Sequence, residues 1–99
     1  MKVRILPSVV ADLDRGREFY ARQSHGLGDY FLDSLFSDID SLELYGGVHA
    51  KAFGYRRLLS KRFPFAIYYV TDGDVCLVWR VLDCRQNPQK IKGALKPGR

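Results

Sequence analysis

A stretch that mixes basic and aromatic side chains carries the most suggestive chemistry in this sequence. It covers residues 55–69 and reads YRRLLSKRFPFAIYY. Cations beside aromatic rings bind phosphates and stack nucleotide bases, so the stretch fits a nucleic-acid or other anionic partner. The alternative is core packing, because alternation along a strand sends half of the following rings inward: Phe63, Phe65, Tyr68 and Tyr69.

Metal and thiol chemistry have little support in the sequence. His25 and His49 each lack a second ligand at metal-site spacing, so neither a metal nor another cofactor is expected. Cys76 and Cys84 lie in one predicted strand, which places them ~26 Å apart and beyond disulfide reach. We expect both cysteines to be reduced and buried in a cytoplasmic protein.

Composition and charge narrow the class of protein. The chain has 99 residues, of which 46% are hydrophobic and 27% charged, so we expect one folded domain over residues 1–99. No run is long and apolar enough to predict a membrane span, and residues 1–6 are too short and charged for a signal peptide. Residues 1–50 contain five Lys/Arg and eight acids, whereas residues 51–99 contain eleven Lys/Arg and three acids. This asymmetry predicts a basic working surface in the second half, or a solvated basic face without a partner.

Two amphipathic helices are predicted in the first half. After a short strand over residues 2–6, apolar spacing predicts a helix over residues 9–23, with Ser8 as its N-cap and Gly16 in its middle. A second helix is predicted from an Asp29 cap to about Tyr45, and Gly46 and the glycine after it end that helix.

In the second half of the sequence, the pattern of apolar residues has a period of two. It predicts strands over residues 53–60, 65–71 and 75–83, the last two joined by a turn at Asp72 and Gly73. Along the last strand, Trp79 and Val81 are assigned to one face and Arg80 to the other. Arg80 must pair with an acid from the helices or be displayed to a partner. A short helix is predicted from Pro88 to about residue 95, followed by a frayed end within residues 88–99.

The predicted order is β-α-α-β-β-β-α. A sheet whose face must be buried against a helical hairpin gives an α+β fold, a two-layer sandwich with an N-terminal strand and an antiparallel meander.

Three stretches in this order resemble the RelE/ParE superfamily of type II toxin–antitoxin toxins. They are VRILPSVVADL at residues 3–13, YRRLLSKRFPFAIYY at residues 55–69 and VWRVLDCRQNP at residues 78–88. The third departs from the family pattern, since Asp83 stands where His is common and Gln86 where a second Arg is common. The resemblance covers about residues 2–88 and implies a cytoplasmic, prokaryotic toxin that inhibits growth and is neutralised by a cognate antitoxin protein.

The resemblance leaves the target open. RelE-like members cut mRNA at the ribosome, whereas ParE-like members, also described as plasmid stabilisation proteins, inhibit DNA gyrase. RNA cleavage needs a base, a cation and an acid. Arg56 and Arg85 match catalytic positions of the ribonucleases only in part, while Leu58 and Phe65 stand where cations are expected. An arginine is not a base, because its pKa exceeds about 12. We therefore expect a ParE-like toxin that binds DNA gyrase, with a ribosome-dependent mRNA endonuclease as the alternative and a degenerate, non-toxic member as a third interpretation.

Two surfaces are expected to bind the partners. Arg57, Lys61 and Arg62 are predicted to pair with acids of the antitoxin. The resemblance places target binding in the C-terminal part, where the candidates are Arg85, Lys90, Ile91, Lys92 and Leu95. Ile91 and Leu95 share one helical face, so they either pack on the sheet or belong to a mobile tail. An isolated helix of this length is marginal, so a weakly docked tail is expected.

Overall fold

The structure, a computed structural model, describes residues 1–96. In chain order its elements are β1 (Lys2–Ile5), α1 (Pro7–Ala21), α2 (Leu27–Asp40), α3 (Leu42–Tyr45), β2 (Lys51–Ala52), β3 (Tyr55–Leu59), β4 (Phe65–Asp72), β5 (Val75–Asp83) and α4 (Pro88–Leu95). The five strands form one sheet in the order β1-β5-β4-β3-β2, with β1 parallel to β5 and the other pairs antiparallel. The predicted α+β class is confirmed. None of the helices within residues 1–96 combines the length and apolar character needed to cross a bilayer.

The helical hairpin differs from its prediction at its ends. Helix α1 begins at Pro7, whose fixed φ suits a first turn, and its N-cap is Leu6 rather than Ser8. The Ser8 hydroxyl instead donates to the Trp79 carbonyl on β5, at 3.2 Å. Helix α2 begins after Gly26, at a φ of 80°, so Asp29 lies in the first turn, where it favours the helix dipole without capping it. The predicted long second helix is divided at Ser41 into α2 and α3.

Gly16 allows the two long helices to approach closely. A Cβ built there would lie 2.5 Å from two ring carbons of Phe31, so α1 and α2 meet through this glycine. Its cost in helix propensity is therefore offset by packing against a buried aromatic ring.

The sheet contains one more strand than predicted. The two-residue strand β2 pairs with β3 through a tight hairpin whose turn residues, Phe53 and Gly54, have φ values of 58° and 86°. Two positive φ angles are typical of a type I′ turn, and Phe53 adopts this conformation against the usual preference of a bulky residue. The β4–β5 turn consists of Gly73 and Asp74 rather than Asp72 and Gly73, because Asp72 pairs with Val75.

A bulge in β5 changes which side chains face the core. Tyr68 pairs with Arg80 and Tyr69 with Val78, so Trp79 is an extra residue in this strand. The strict alternation predicted for residues 75–82 is therefore wrong. Val81 packs with Val78 on the hairpin face, whereas Trp79 lies with the cluster on the other face.

Both faces of the sheet are partly covered. The larger cluster fills the space between the hairpin and the sheet, and Val9, Leu13, Phe31, Leu35, Ile67 and Tyr69 are among its members. The smaller cluster lies between the opposite face and α4, and its buried members are Ala66, Tyr68, Leu82, Ile91 and Leu95. Helix α4 therefore adds a partial third layer to the two predicted ones.

Candidate functional site

A buried ion pair joins the helical hairpin to the sheet. Asp12 on α1 accepts hydrogen bonds from Nε and Nη2 of Arg80, both at 2.7 Å, and from the Val81 backbone NH at 3.0 Å. Arg15 adds a further bond at 2.6 Å. The ion pair raises the pKa of Arg80 further above its ordinary range. Of the two alternatives predicted for Arg80, pairing with a helix acid is therefore observed.

The same arginine helps to hold α4. Its Nη1 donates to the Ala94 carbonyl at 2.9 Å, while Tyr55 Oη and Trp79 Nε1 both donate to the Leu95 carbonyl, at 2.8 and 2.9 Å. These donors satisfy carbonyls that lack partners at the end of any helix. Helix α4 is consequently docked by polar bonds as well as by apolar burial.

The predicted target-binding residues fall into exposed and buried sets. Lys90 and Lys92 are exposed on α4, whereas Ile91 and Leu95 keep only 5% and 2% of their surface exposed. The structure therefore contains a packed tail. While α4 stays docked, only its lysines are accessible to a target.

Arg85 is held locally by Asp83, two residues before it in the chain. Its Nε and Nη2 donate to the Asp83 carboxylate at 3.0 and 2.8 Å, and its backbone NH bonds the same group at 2.8 Å. These bonds lower the pKa of Asp83 and raise that of Arg85. Both side chains retain solvent exposure, so the pair orients Arg85 and adds little stability.

The two candidate catalytic arginines are not brought together. Arg56 lies opposite Tyr69, while Asp83, just before Arg85, lies opposite Phe65 at the far end of β4. Four residues of strand separate these levels, which corresponds to ~13 Å. Each guanidinium is held by its own partner at its own strand level: Arg56 by the His49 carbonyl and Arg85 by the Asp83 carboxylate.

The predicted antitoxin-binding cations are all exposed. Arg57 projects from β3 opposite Tyr68, on the face of the sheet that carries α4. Lys61 and Arg62 lie in the following loop between β3 and β4. The three side chains therefore line one edge of the meander and are not clustered at a single point.

A histidine that the sequence left isolated has a specific partner. His49 Nδ1 lies 2.6 Å from Tyr69 Oη, which also accepts the Gly47 backbone NH at 2.9 Å. The direction of this bond follows the His49 tautomer: Nδ1 accepts from the Tyr69 hydroxyl when it is unprotonated and donates to the Tyr69 oxygen when it carries the proton. The Arg56 guanidinium donates to the His49 carbonyl at 2.9 Å. Burial, together with the charge of Arg56, lowers the pKa of His49 below 6.5. Only the tyrosine–histidine distance reveals this group, since no motif spacing signals it.

Two cavities lie beside these groups. One of about 300 Å³ lies among α1, the end of β5 and α4, next to the Asp12–Arg80 pair. The other, of about 260 Å³, lies against β2, β3 and β4 beside Arg56 and Tyr69. The first is lined by Arg15 and by Arg80, and each of the three side-chain nitrogens of Arg80 already donates a hydrogen bond, whereas the second is lined by Lys51 and by Arg56, which donates one.

The cysteines occupy different environments. Cys76 is buried against the hairpin, as predicted, and burial raises the pKa of its thiol. Cys84 is exposed just after β5, so the expectation that both are buried is wrong. The strand ends at Asp83, and the backbone NH of Cys84 donates to the Pro64 carbonyl at 2.8 Å.

Comparisons with known proteins identify the fold. No protein-family model matches the chain, and no curated protein matches it. Among solved structures, the chain is similar to one from the chromosomal ParDE toxin–antitoxin system of P. aeruginosa, with a TM-score of 0.67 and 17% identity. The match covers 82% of this chain and 92% of the other. The resemblance predicted from the three sequence stretches is therefore confirmed at the level of the fold: this chain has the fold of a chain from a ParDE system.

Proposed function

We propose that the chain is the toxin of a type II toxin–antitoxin system and that it acts ParE-like, by binding its target. The shared fold with a ParDE chain supports membership of such a system. Binding is favoured over RNA cleavage by one observation: Arg85 is paired with the Asp83 carboxylate, while Arg56 is held by the His49 carbonyl at another strand level. A site that stabilises the charge on one phosphate needs its cations within contact of the same group.

DNA gyrase is the favoured target, and this choice rests on the ParE-like resemblance of the sequence and fold. Arg85, Lys90 and Lys92 form an exposed basic surface beside and on α4. Such a surface suits an anionic partner or one that holds DNA. Ile91 and Leu95 would contribute directly only if α4 left the sheet.

Charge reversal on α4 tests the target surface without opening the core. We expect Lys90→Glu with Lys92→Glu to relieve growth inhibition on induced expression while the thermal melt is preserved. The matched control is Arg4→Glu with Arg22→Glu, which makes the same change of charge at two exposed positions away from α4. Full toxicity of the α4 variant would place the target surface elsewhere.

Cellular readouts separate the possible targets. Induction of the SOS response with intact mRNA supports gyrase inhibition, whereas rapid loss of mRNA integrity supports the ribonuclease. Antitoxin binding without either effect, and without growth inhibition, supports a non-toxic member.

The antitoxin is proposed to bind along Arg57, Lys61 and Arg62. These cations are exposed on β3 and in the loop that follows it, and the two-residue β2 pairs only with the first residues of β3, which leaves backbone groups at the far end of β3 available for strand addition. Reversing all three charges should slow association with the antitoxin at low salt by tenfold or more, with a smaller effect at high salt. Unchanged association at both salt concentrations would exclude this surface.

A second candidate function, endoribonuclease activity, is favoured by the His49–Tyr69 contact beside Arg56. An imidazole is a usual proton-transfer group in such reactions, and the lowered pKa of His49 keeps it in the neutral form that can accept a proton. If the chain cleaves mRNA, His49→Gln should abolish cleavage and retain antitoxin binding. Cleavage that persists in this variant would remove His49 from the chemistry.

A further inference from the structure

One cross-strand row in the sheet ends in two adjacent cations. Residues directly opposite one another run from Val78 on β5 through Tyr69 on β4 and Arg56 on β3 to Lys51 on β2. Opposite residues in an antiparallel sheet share a face, so all four project toward the side of the helical hairpin. The hairpin covers Val78 and Tyr69, which are fully buried, while Arg56 is half-buried and Lys51 exposed.

The pairing of Lys51 with Arg56 is electrostatically unfavourable. Like charges directly opposite on neighbouring strands destabilise a sheet. Among residues 1–96, the carboxylates that form salt bridges are Asp12 and Asp83, and neither pairs with these two cations. The chain therefore places two positive charges together without neutralising them. A bound anion would remove this repulsion.

Arg56 is also held in place before any ligand binds. One of its terminal nitrogens donates to the His49 carbonyl at 2.9 Å, which leaves the other donors of the guanidinium available. The His49 ring is fixed in turn by the buried Tyr69 hydroxyl at 2.6 Å. A cation oriented in this way loses less conformational freedom when it binds a ligand.

The two cations line a cavity of suitable size and polarity. Its volume is about 260 Å³, and it is lined by Lys51, Gly54, Arg56, Tyr69, Val70 and Thr71. No acid from the described part of the chain contributes to this lining. Apart from its chain neighbours, no atom of residues 1–96 lies within 4 Å of the position that a Cβ would take at Gly54, so this lining residue has open space beside it. The space accommodates several water-sized groups, at ~30 Å³ each.

We propose that this cavity binds a phosphate group, held between Lys51 and Arg56. The planar fork of an arginine matches two phosphate oxygens, and a lysine supplies a point charge to a third. The Thr71 hydroxyl offers a further donor at the cavity wall. The inference goes beyond the proposed function, because it requires neither the antitoxin nor a particular target.

The phosphate has two possible sources with the same chemistry. It belongs either to the backbone of a nucleic acid or to a small phosphorylated compound. The open side at Gly54 permits both, so the experiment includes a probe for each source.

Ligand titrations followed by amide NMR test the proposal on the full chain. The probes are pyrophosphate, a short single-stranded RNA, a short DNA duplex, and acetate at matched ionic strength. The variants are Lys51→Gln and Arg56→Gln, with Arg22→Gln as the control, because Arg22 is an exposed cation at the end of α1. We expect pyrophosphate to shift the amide signals of residues 51–56 and each cavity variant to weaken binding tenfold or more.

The nucleic-acid probes identify the source. If the phosphate comes from a polynucleotide, RNA or DNA binds at the same residues. Each cavity variant then lowers the slope of log binding constant against log salt concentration by about one released counterion, whereas Arg22→Gln leaves this slope unchanged. If pyrophosphate alone binds there, a small phosphorylated compound is the ligand.

Three results would overturn the proposal. They are the absence of shifts with every phosphate probe, equal shifts with acetate, or equal weakening by Arg22→Gln. Lys51→Gln also provides a check without a ligand, because it removes the like-charge contact. In phosphate-free buffer we expect it to raise Tm by about 1–3 °C. Phosphate should raise the Tm of the wild type more than that of this variant. An unchanged or lower Tm in phosphate-free buffer would mean that the two charges do not repel and would remove the electrostatic reason for the site.

Discussion

Two strand arginines on the same sheet differ in how many hydrogen bonds their guanidinium groups donate within the chain. Arg80 on β5 uses Nε and both terminal nitrogens on Asp12 and the α4 carbonyl of Ala94, and it lies under a helix. Arg56 on β3 has one hydrogen bond, to a backbone carbonyl, and stands opposite another cation. The first arginine joins three elements, whereas the second remains available to an external anion.

The difference follows from what covers each arginine, because β5 and β3 are both second from an edge of the sheet. Arg80 lies between α1 and α4, where a charge removed from water must be paired. Arg56 lies next to the two-residue β2, where solvent stabilises an unpaired cation. An arginine in an apolar strand is therefore more informative about function where no helix covers it.

The largest expected effect comes from breaking the central pair. Asp12→Ala leaves the Arg80 charge and the Val81 NH without their partner, and we expect the free energy of unfolding to fall by about 3–5 kcal/mol. Urea denaturation measures the change. Asp14→Ala, an exposed acid on the same helix, should stay within about 0.5 kcal/mol of wild type. A loss below about 1 kcal/mol for Asp12→Ala would mean that the pair is not buried in solution.

A smaller loss is expected from the helix that Arg80 helps to hold. Leu95 is almost fully buried against Tyr68 and Leu82, so Leu95→Ala should cost about 2–4 kcal/mol through a cavity in the smaller cluster. Lys92→Ala on the exposed side of α4 is the control. Equal stability of the two variants would indicate that α4 is undocked, which would return Ile91 and Leu95 to the target surface. Deleting residues 88–99 is less informative, because it also uncovers the apolar face of the sheet.

Local patterns in the sequence predicted the elements, because amphipathic spacing directly reports which face is buried. The α1 and α2 stripes and the three long strands were recognisable for this reason. Strand β2 was not predicted, because two residues are too few to show a periodicity. The bulge at Trp79 was not predicted either, since it appears only when β4 and β5 are paired. It places Val81 on the hairpin face.

The sites depend on contacts between residues that are distant in the chain. Asp12 and Arg80 are separated by 68 positions, so the sequence could state only that Arg80 needs a partner. The His49 ring contacts the Tyr69 hydroxyl, which is 20 positions away in the chain, because the turn after β2 brings this segment back along β3. The basic character of the second half was visible from composition, but the opposition of Lys51 and Arg56 required the register.

The smallest expected effect is a pH dependence at the edge. The native pKa of His49 lies below 6.5 because of burial and Arg56, so the unfolded chain binds more protons as the pH falls. Stability should be fully present above pH 6.5 and decline as the pH falls through the native pKa. Protonated His49 can only donate from Nδ1, so the Tyr69 hydroxyl could not donate to it. Thermal melts between pH 7.5 and 5 should show a decline in Tm for wild type that is reduced in His49→Gln and retained in His25→Gln, which alters an exposed histidine between α1 and α2. If Tm declined equally in His49→Gln, the pH dependence would come from other groups. The histidine beside Arg56 would then have no effect on stability.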